Sequence, residues 1–276
     1  MTKPLFAAML TSAMVCAQPA LAPPSLGFIQ DAAHGLRPVY GVAGNFILGT
    51  PVVENAVNAA FGGSFGLRKT ASSLEAFGAD GQLLASFDTA PGPALFAFSA
   101  DGTQALAYIS AAHSLVEFDG KTFQLVTLGR QVSGVLALAF PTANQAALFV
   151  READARTFAD GSATLLQMTL PLDGDGTASQ CVLMGVRAPL LALPSGDLVY
   201  RGDAGIAIRR KDGSEVHLAA SLPPRFALQQ MNKDWVQLLD PASNTHFAIR
   251  TTAGSESLYR LPETLSAPGG SERFAR

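Results

Sequence analysis

The chain repeats itself at an interval of 41 residues. GIAIRRKDG at 205–213 returns as HFAIRTTAG at 246–254, and SLEAFGADG at 73–81 returns as SLVEFDG at 114–120, so that Ile206 falls on Phe247 and Leu74 on Leu115. Two independent pairs share one period. Leu115 and Ile206 stand 91 residues apart, about two periods with an insertion, which leaves room for one further copy. A unit of this size cannot bury its own hydrophobic faces, so a chain that repeats it must stack the copies.

A second landmark says what the unit is. Turn-forming residues recur at Gly62-Gly63, Asp101-Gly102, Thr142-Ala143-Asn144, Ser195-Gly196 and Asn232-Lys233-Asp234, each between two apolar strand-like runs. The spacings, counted from Gly62 through Asp101, Ala143, Ser195 and Lys233, are 39, 42, 52 and 38 residues. Gly, Asp and Asn supply the positive-φ positions of hairpin turns. Two hairpins in about 40 residues make four strands per copy, and four-stranded sheets at that period are the mark of an all-β chain folded as a β-propeller. Apolar runs such as VLALAF at 135–140 are continuous because such strands are covered on both faces.

Five blades are recognisable from the five turns. GLRPVYGVAGNFILG at 35–49 reads as two further short strands, which either complete the last blade or contribute to a sixth. ENAVNAAF at 54–61 reads as a strand, because it falls where the other copies place their first strand; Thr50 and Pro51 also satisfy the rules for starting a short helix. The 52-residue spacing coincides with READARTFADGSAT at 151–164, expected as a longer loop inserted into the third blade. The expected layout is a linker over 18–34, one propeller domain over 35–262 and a disordered tail over 263–276.

The N-terminus, MTKPLFAAMLTSAMVCAQPALA, has the layout of a secretory signal peptide: Lys3, a thirteen-residue apolar stretch from Leu5 to Ala17, then small residues. The stretch is too short to cross a bilayer as a helix. Cleavage after Ala17, or as late as Ala22, leaves no transmembrane anchor and predicts a periplasmic or secreted protein. It also leaves Cys181 alone, with no intramolecular disulfide available. Beside Val182, Leu183 and Met184, Cys181 reads as a small buried hydrophobe in a strand. A formal charge of −3 offers no basic field for phosphates, so nucleic acid is not an expected partner.

FSADGTQALAYIS at 98–110 resembles the blade core of the WD40-like propellers of bacterial envelope proteins, the Tol-system propeller and its seven-bladed lactonase-type relatives among them. Phe98, Ser99, Asp101, Gly102 and Ala105 to Tyr108 carry the likeness, and LRPVYGVAGNFILG resembles an opening found in exported bacterial propellers. The Gly-His and Trp-Asp signatures of the eukaryotic type are absent, and the one tryptophan, Trp235, directly follows a turn. The resemblance concerns architecture and implies no activity.

Little in the sequence carries chemistry. His34, His113, His217 and His246 show no metal-ligand spacing, and His113 and His246 read as solvated residues ahead of equivalent strands. Asp173-Gly174-Asp175-Gly176 begins like a calcium loop but continues with Thr177 and Ala178 and has Met184 at the twelfth position, where a bidentate acid is required. Arg201-Gly202-Asp203 reads as a strand-to-turn junction. No catalytic, cofactor-binding or metal-ligating residue is assigned, and no cofactor is expected. The expectation is a monomeric, exported, non-catalytic scaffold that binds a protein or a glycan. The competing expectation is a lactonase or glycan-cleaving propeller with acids in the central funnel, an activity for which fold analogy alone is a weak warrant.

Overall fold

The computed structural model describes residues 24–31, 33–128, 132–151, 165–172 and 178–262. Within them the chain is all strand and turn, in six antiparallel sheets built from consecutive segments. The N-terminal sheet holds β1 (Ser25–Gln30), β2 (Leu36–Val42) and β3 (Asn45–Leu48). Blade 1 holds β4 (Asn58–Phe61), β5 (Phe65–Lys69), β6 (Ser73–Gly78) and β7 (Leu83–Asp88). Blade 2 holds β8 (Ala94–Phe98), β9 (Ala105–Ile109), β10 (Ser114–Phe118) and β11 (Phe123–Val126). Blade 3 holds β12 (Val135–Thr142), β13 (Gln145–Arg151), β14 (Leu165–Pro171) and β15 (Ser179–Leu183). Blade 4 holds β16 (Leu190–Ala192), β17 (Leu198–Arg201), β18 (Gly205–Arg209) and β19 (Glu215–Ala219). Blade 5 holds β20 (Ala227–Gln230), β21 (Trp235–Asp240), β22 (Thr245–Arg250) and β23 (Ser257–Arg260).

The five turns that mark the repeat each join the first two strands of a blade, and the four quoted repeat phrases are third strands running into their outer turns: β6, β10, β18 and β22. The local chemistry is visible in blade 2. Asp101 Oδ1 accepts from Ser99 Oγ at 2.6 Å, from Thr103 N at 3.1 Å and from Thr103 Oγ1 at 2.8 Å, and Gly102 N donates to Ser99 O at 2.9 Å. These bonds satisfy a turn that no strand can satisfy, and they hold the Asp101 carboxyl below its ordinary range. ENAVNAAF supplies β4 as a strand, and residues 35–49 supply β2 and β3.

The innermost strands β4, β8, β12, β16 and β20 close into a circle, β20 returning to β4. The N-terminal sheet forms a sixth sheet between blades 5 and 1, yet it contributes no strand to that circle. Asn232 Nδ2 donates to Leu26 O at 2.9 Å, and Gln237 bonds the backbone of Gln30. Hence β1 runs in the direction of β21, antiparallel to β20. It is the counterpart of a second strand, and among the described residues the sheet is a blade without its first. Among the described residues the ring therefore has six sheets and five strands at its axis, which matches the five first-hairpin turns in the sequence. It also moves the start of the propeller to Ser25, inside the stretch expected as a linker. Residues 1–23, the tail from 263 and the insertion at 152–164 lie outside the described residues.

Between sheets the apolar faces form separate clusters. Leu74 packs between blades 1 and 2 and Leu115 between blades 2 and 3, so this repeat pair points the same way around the ring. The other pair does not. Ile206, Ile208, Phe247 and Ile249 all enter the one cluster between blades 4 and 5, while Ala207 and Ala248 turn to the opposite faces. A shift of one residue in a strand exchanges its faces, so this match aligns side chains that face each other across an interface.

Candidate functional site

The first strands begin at the face that carries the blade-to-blade connections, and there they surround a central cavity of about 890 Å³. Its wall is made of small and aliphatic side chains: Ala59, Ala60, Ala94, Ala137, Ala188 and Ala227, with Leu95, Leu136, Leu138, Leu190, Leu191 and Leu228 between them. The strands are apolar here for the same reason as elsewhere in the blades, and alanine is what leaves room at the axis. Farther along the same strands, Phe61, Phe98, Phe140 and Met231 turn into the interfaces between sheets and are buried. A cavity of this size and lining is suited to a small organic guest.

Polar groups enter at three places. From the N-terminal sheet come Gln30, Asp31 and His34, in front of which no first strand stands among the described residues. Asp31 is the carboxylate of the lining, and it is fully engaged. Its Oδ1 accepts from Ala33 N at 2.9 Å and Gly35 N at 2.8 Å, and its Oδ2 lies 2.6 Å from Arg37 Nε. Gln30 Nε2 donates to Ala56 O at 2.6 Å and Val57 O at 3.2 Å. In the adjoining blade, Asn58 of β4 donates through Nδ2 to Ala94 O at 2.6 Å and accepts from Ala94 N at 3.0 Å, tying blades 1 and 2 at the wall.

The third group belongs to blades 4 and 5. Arg201, at the end of β17, donates through Nη2 to Pro223 O at 3.0 Å and Pro224 O at 3.1 Å, and its guanidinium stands 4.3 Å over the Phe226 ring. No carboxylate among the described residues pairs with it, and burial lowers its pKa. Arg225 is exposed beside it. Gln230, 2% exposed at the end of β20, lines the cavity, and its Nε2 has no hydrogen-bond partner among the described residues. A buried amide N–H in that condition costs about 1–3 kcal/mol unless a guest or water accepts from it.

The sequence expectations for individual residues divide. His34 lines the cavity, whereas His113 holds a turn at φ 48° with Nδ1 at 3.2 Å from Tyr108 Oη. His246, expected to be solvated, is 2% exposed inside β22. Its Nδ1 accepts from Gln237 Nε2 at 2.7 Å, so its Nε2 carries the proton toward Asn244 Oδ1 at 3.1 Å. Burial pushes its pKa down, against the opposing charge of Asp31. Cys181, expected to be buried, is exposed, because β15 is the outermost strand of its blade. Arg201-Gly202-Asp203 is a strand-to-turn junction, with Asp203 paired to Arg187 at 2.6 Å. The candidate calcium loop at 173–176 lies outside the described residues. Among the described residues no three His, Cys, Asp or Glu side chains gather to hold a metal, and no helix is long and apolar enough to cross a membrane. Gln230 and Arg201 were not singled out from the sequence as binding groups; the one signal was the polar Gln229-Gln230 pair closing an apolar strand.

No family model and no curated protein sequence matches the chain. Among solved structures it is similar to TolB from Acinetobacter baumannii, at 12% identity and a TM-score of 0.49, covering 86% of this chain and 63% of that one. It is also similar to the Cps50 (Swd1) β-propeller domain of Myceliophteria thermophila, at 11% identity and a TM-score of 0.43, over 75% of this chain and 70% of that one. Hydrazine synthase of Kuenenia stuttgartiensis matches at 11% identity and a TM-score of 0.46, over 81% and 73%. The propeller itself is displayed by the chain's own sheet order and ring of inner strands.

Proposed function

We propose that this protein is an exported, non-catalytic binding propeller whose ligand enters the central cavity from the face carrying the blade-to-blade connections. The observation that carries the reading is the lining: a wall of alanine and leucine whose carboxylate, Asp31, is fully engaged by Arg37 and two backbone N–H groups. A general base must be within reach of a substrate proton, and a carboxylate so held is poorly placed for that. A glycan fits this wall poorly, since sugar faces call for aromatic platforms and the lining is mostly aliphatic, and a small apolar guest fits it better than either expected ligand type. The leader-like residues 1–17 support export.

The test is binding of an uncharged, polarity-sensitive dye such as Nile red to the mature chain. One saturable site is expected, and it is lost in Ala227→Trp, which fills the cavity from a side chain already open to it. Absence of dye binding, or binding indifferent to Ala227→Trp, overturns the reading. Export is tested separately, by fractionating cells that express the full chain; retention in the cytoplasm overturns that part.

A further inference from the structure

Two groups in the cavity wall have hydrogen-bonding capacity that the described protein does not use. One is Gln230 Nε2, buried, lining the cavity and without an acceptor. The other is the Arg201 guanidinium, whose hydrogen bonds among the described residues engage Nη2 alone and end on neutral carbonyls. A guanidinium presents five N–H donors, so Arg201 keeps donors to spare. Charge in the lining is unbalanced in the same sense. Asp31 is neutralised by Arg37, while Arg201 and the neighbouring Arg225 have no acid opposite them in the cavity. Between these groups the wall is apolar.

We infer that the cavity binds an elongated apolar acid, with its carboxylate at Arg201 and an internal carbonyl or hydroxyl oxygen accepting from Gln230 Nε2. The inference rests on the cavity being the binding site and adds the chemistry of the guest. The chain of such a molecule lies against Ala137, Leu138 and Ala227, where water gains no hydrogen bonds. Its anion lies near the mouth, where the guanidinium stands over the Phe226 ring and desolvation strengthens a charge-assisted hydrogen bond. Gln230 then separates an oxygen-bearing chain from a plain hydrocarbon, because a buried donor left without an acceptor is costly.

The experiment is displacement of bound Nile red by dodecanoate, dodecanol and a set of oxo-dodecanoates differing in carbonyl position. Dodecanoate is expected to compete about tenfold better than dodecanol, the difference expected of one charge-assisted hydrogen bond. At least one oxo isomer is expected to improve on dodecanoate about fivefold or more. Arg201→Gln removes the advantage of acid over alcohol, each competition being read against that variant's own dye affinity, and Gln230→Leu removes the advantage of the oxo isomer alone. Should Arg201→Gln loosen the connection to blade 5, Arg225→Gln provides a second reading, with a smaller loss of acid preference. Equal competition by acid and alcohol overturns the inference while the dye site stands; failure of the dye to bind overturns the underlying reading as well.

Discussion

Gln237 closes the ring on Gln30. Across 207 residues its Oε1 accepts from Gln30 N and its Nε2 donates to Gln30 O, both at 3.2 Å, so a side-chain carboxamide stands where a neighbouring strand's peptide group would. The same Nε2 donates to His246 Nδ1, and Asn232 takes the carbonyl of Leu26 farther along β1. Propellers commonly close by sharing a strand between their ends; here two side chains of blade 5 do that work, together with the cluster of Ile29, Val39, Met231 and Trp235.

Gln237→Leu keeps the volume and removes the bonds. It leaves the Gln30 N–H and C=O and His246 Nδ1 without partners, and is expected to cost about 1–3 kcal/mol. Urea unfolding should show a lower midpoint. An unchanged midpoint removes Gln237 from the closure.

Gly27 sits at the same seam with φ +105°, and a Cβ there would stand 2.0 Å from Met231 O. Gly27→Ala therefore has to move β1 off blade 5. Gly44→Ala, at φ +85° with open space, carries backbone strain alone, about 1–3 kcal/mol. The expected result is a markedly larger fall in thermal midpoint for Gly27→Ala than for Gly44→Ala.

His246 gives the seam a pH dependence. Its pKa is lowered in the folded protein, so between that value and about 6.5 the unfolded chain binds the proton that the folded one refuses. Stability is expected to fall as pH drops below about 6.5 and to level off below the folded pKa. The groups around the ring are Gln237, Asn244 and the carboxylate of Asp31. In His246→Gln this component vanishes; equal pH slopes for the two proteins between pH 7 and 5 count against it.

Lys69 is wholly buried, with Nζ donating to Thr70 O at 2.7 Å, and burial lowers its pKa. The unfolded chain keeps its proton to higher pH, so this residue makes the protein more stable as pH rises from the folded pKa toward about 10.4. Lys69→Met is expected to raise stability at neutral pH and to abolish that rise. The measurement is the difference between the two proteins' unfolding free energies from pH 7 to 10, because tyrosines titrate in both.

The sequence was legible wherever local chemistry repeats. Asp101 and its counterparts announce the first hairpins, and Leu74 and Leu115 announce equivalent faces. What was hidden depends on relations between distant segments. SLGFIQ at 25–30, expected as linker, pairs with β2 and takes its place in the ring by meeting Met231 and Gln237. The match of Ile206 to Phe247 is real in letters and reversed in space, since a one-residue shift preserves composition and exchanges faces. Cys181 looks buried beside Val182 and Met184, yet Cys181 and Val182 are exposed on an outermost strand and Met184 just past its end, and a strand's rank in its sheet is not written in its composition. The cavity, likewise, is assembled from segments of all six sheets, with three or more residues from each blade.

The seam also sets an order of events. A ribosome delivers Ser25–Gln30 first and Trp235–Asp240 some two hundred residues later, so the earliest strand waits with an open edge until the last blade arrives to cap it. Any interruption of synthesis before blade 5 leaves a polypeptide with most of its sheets formed and one unprotected border, the form most exposed to pairing with a neighbour of its own kind.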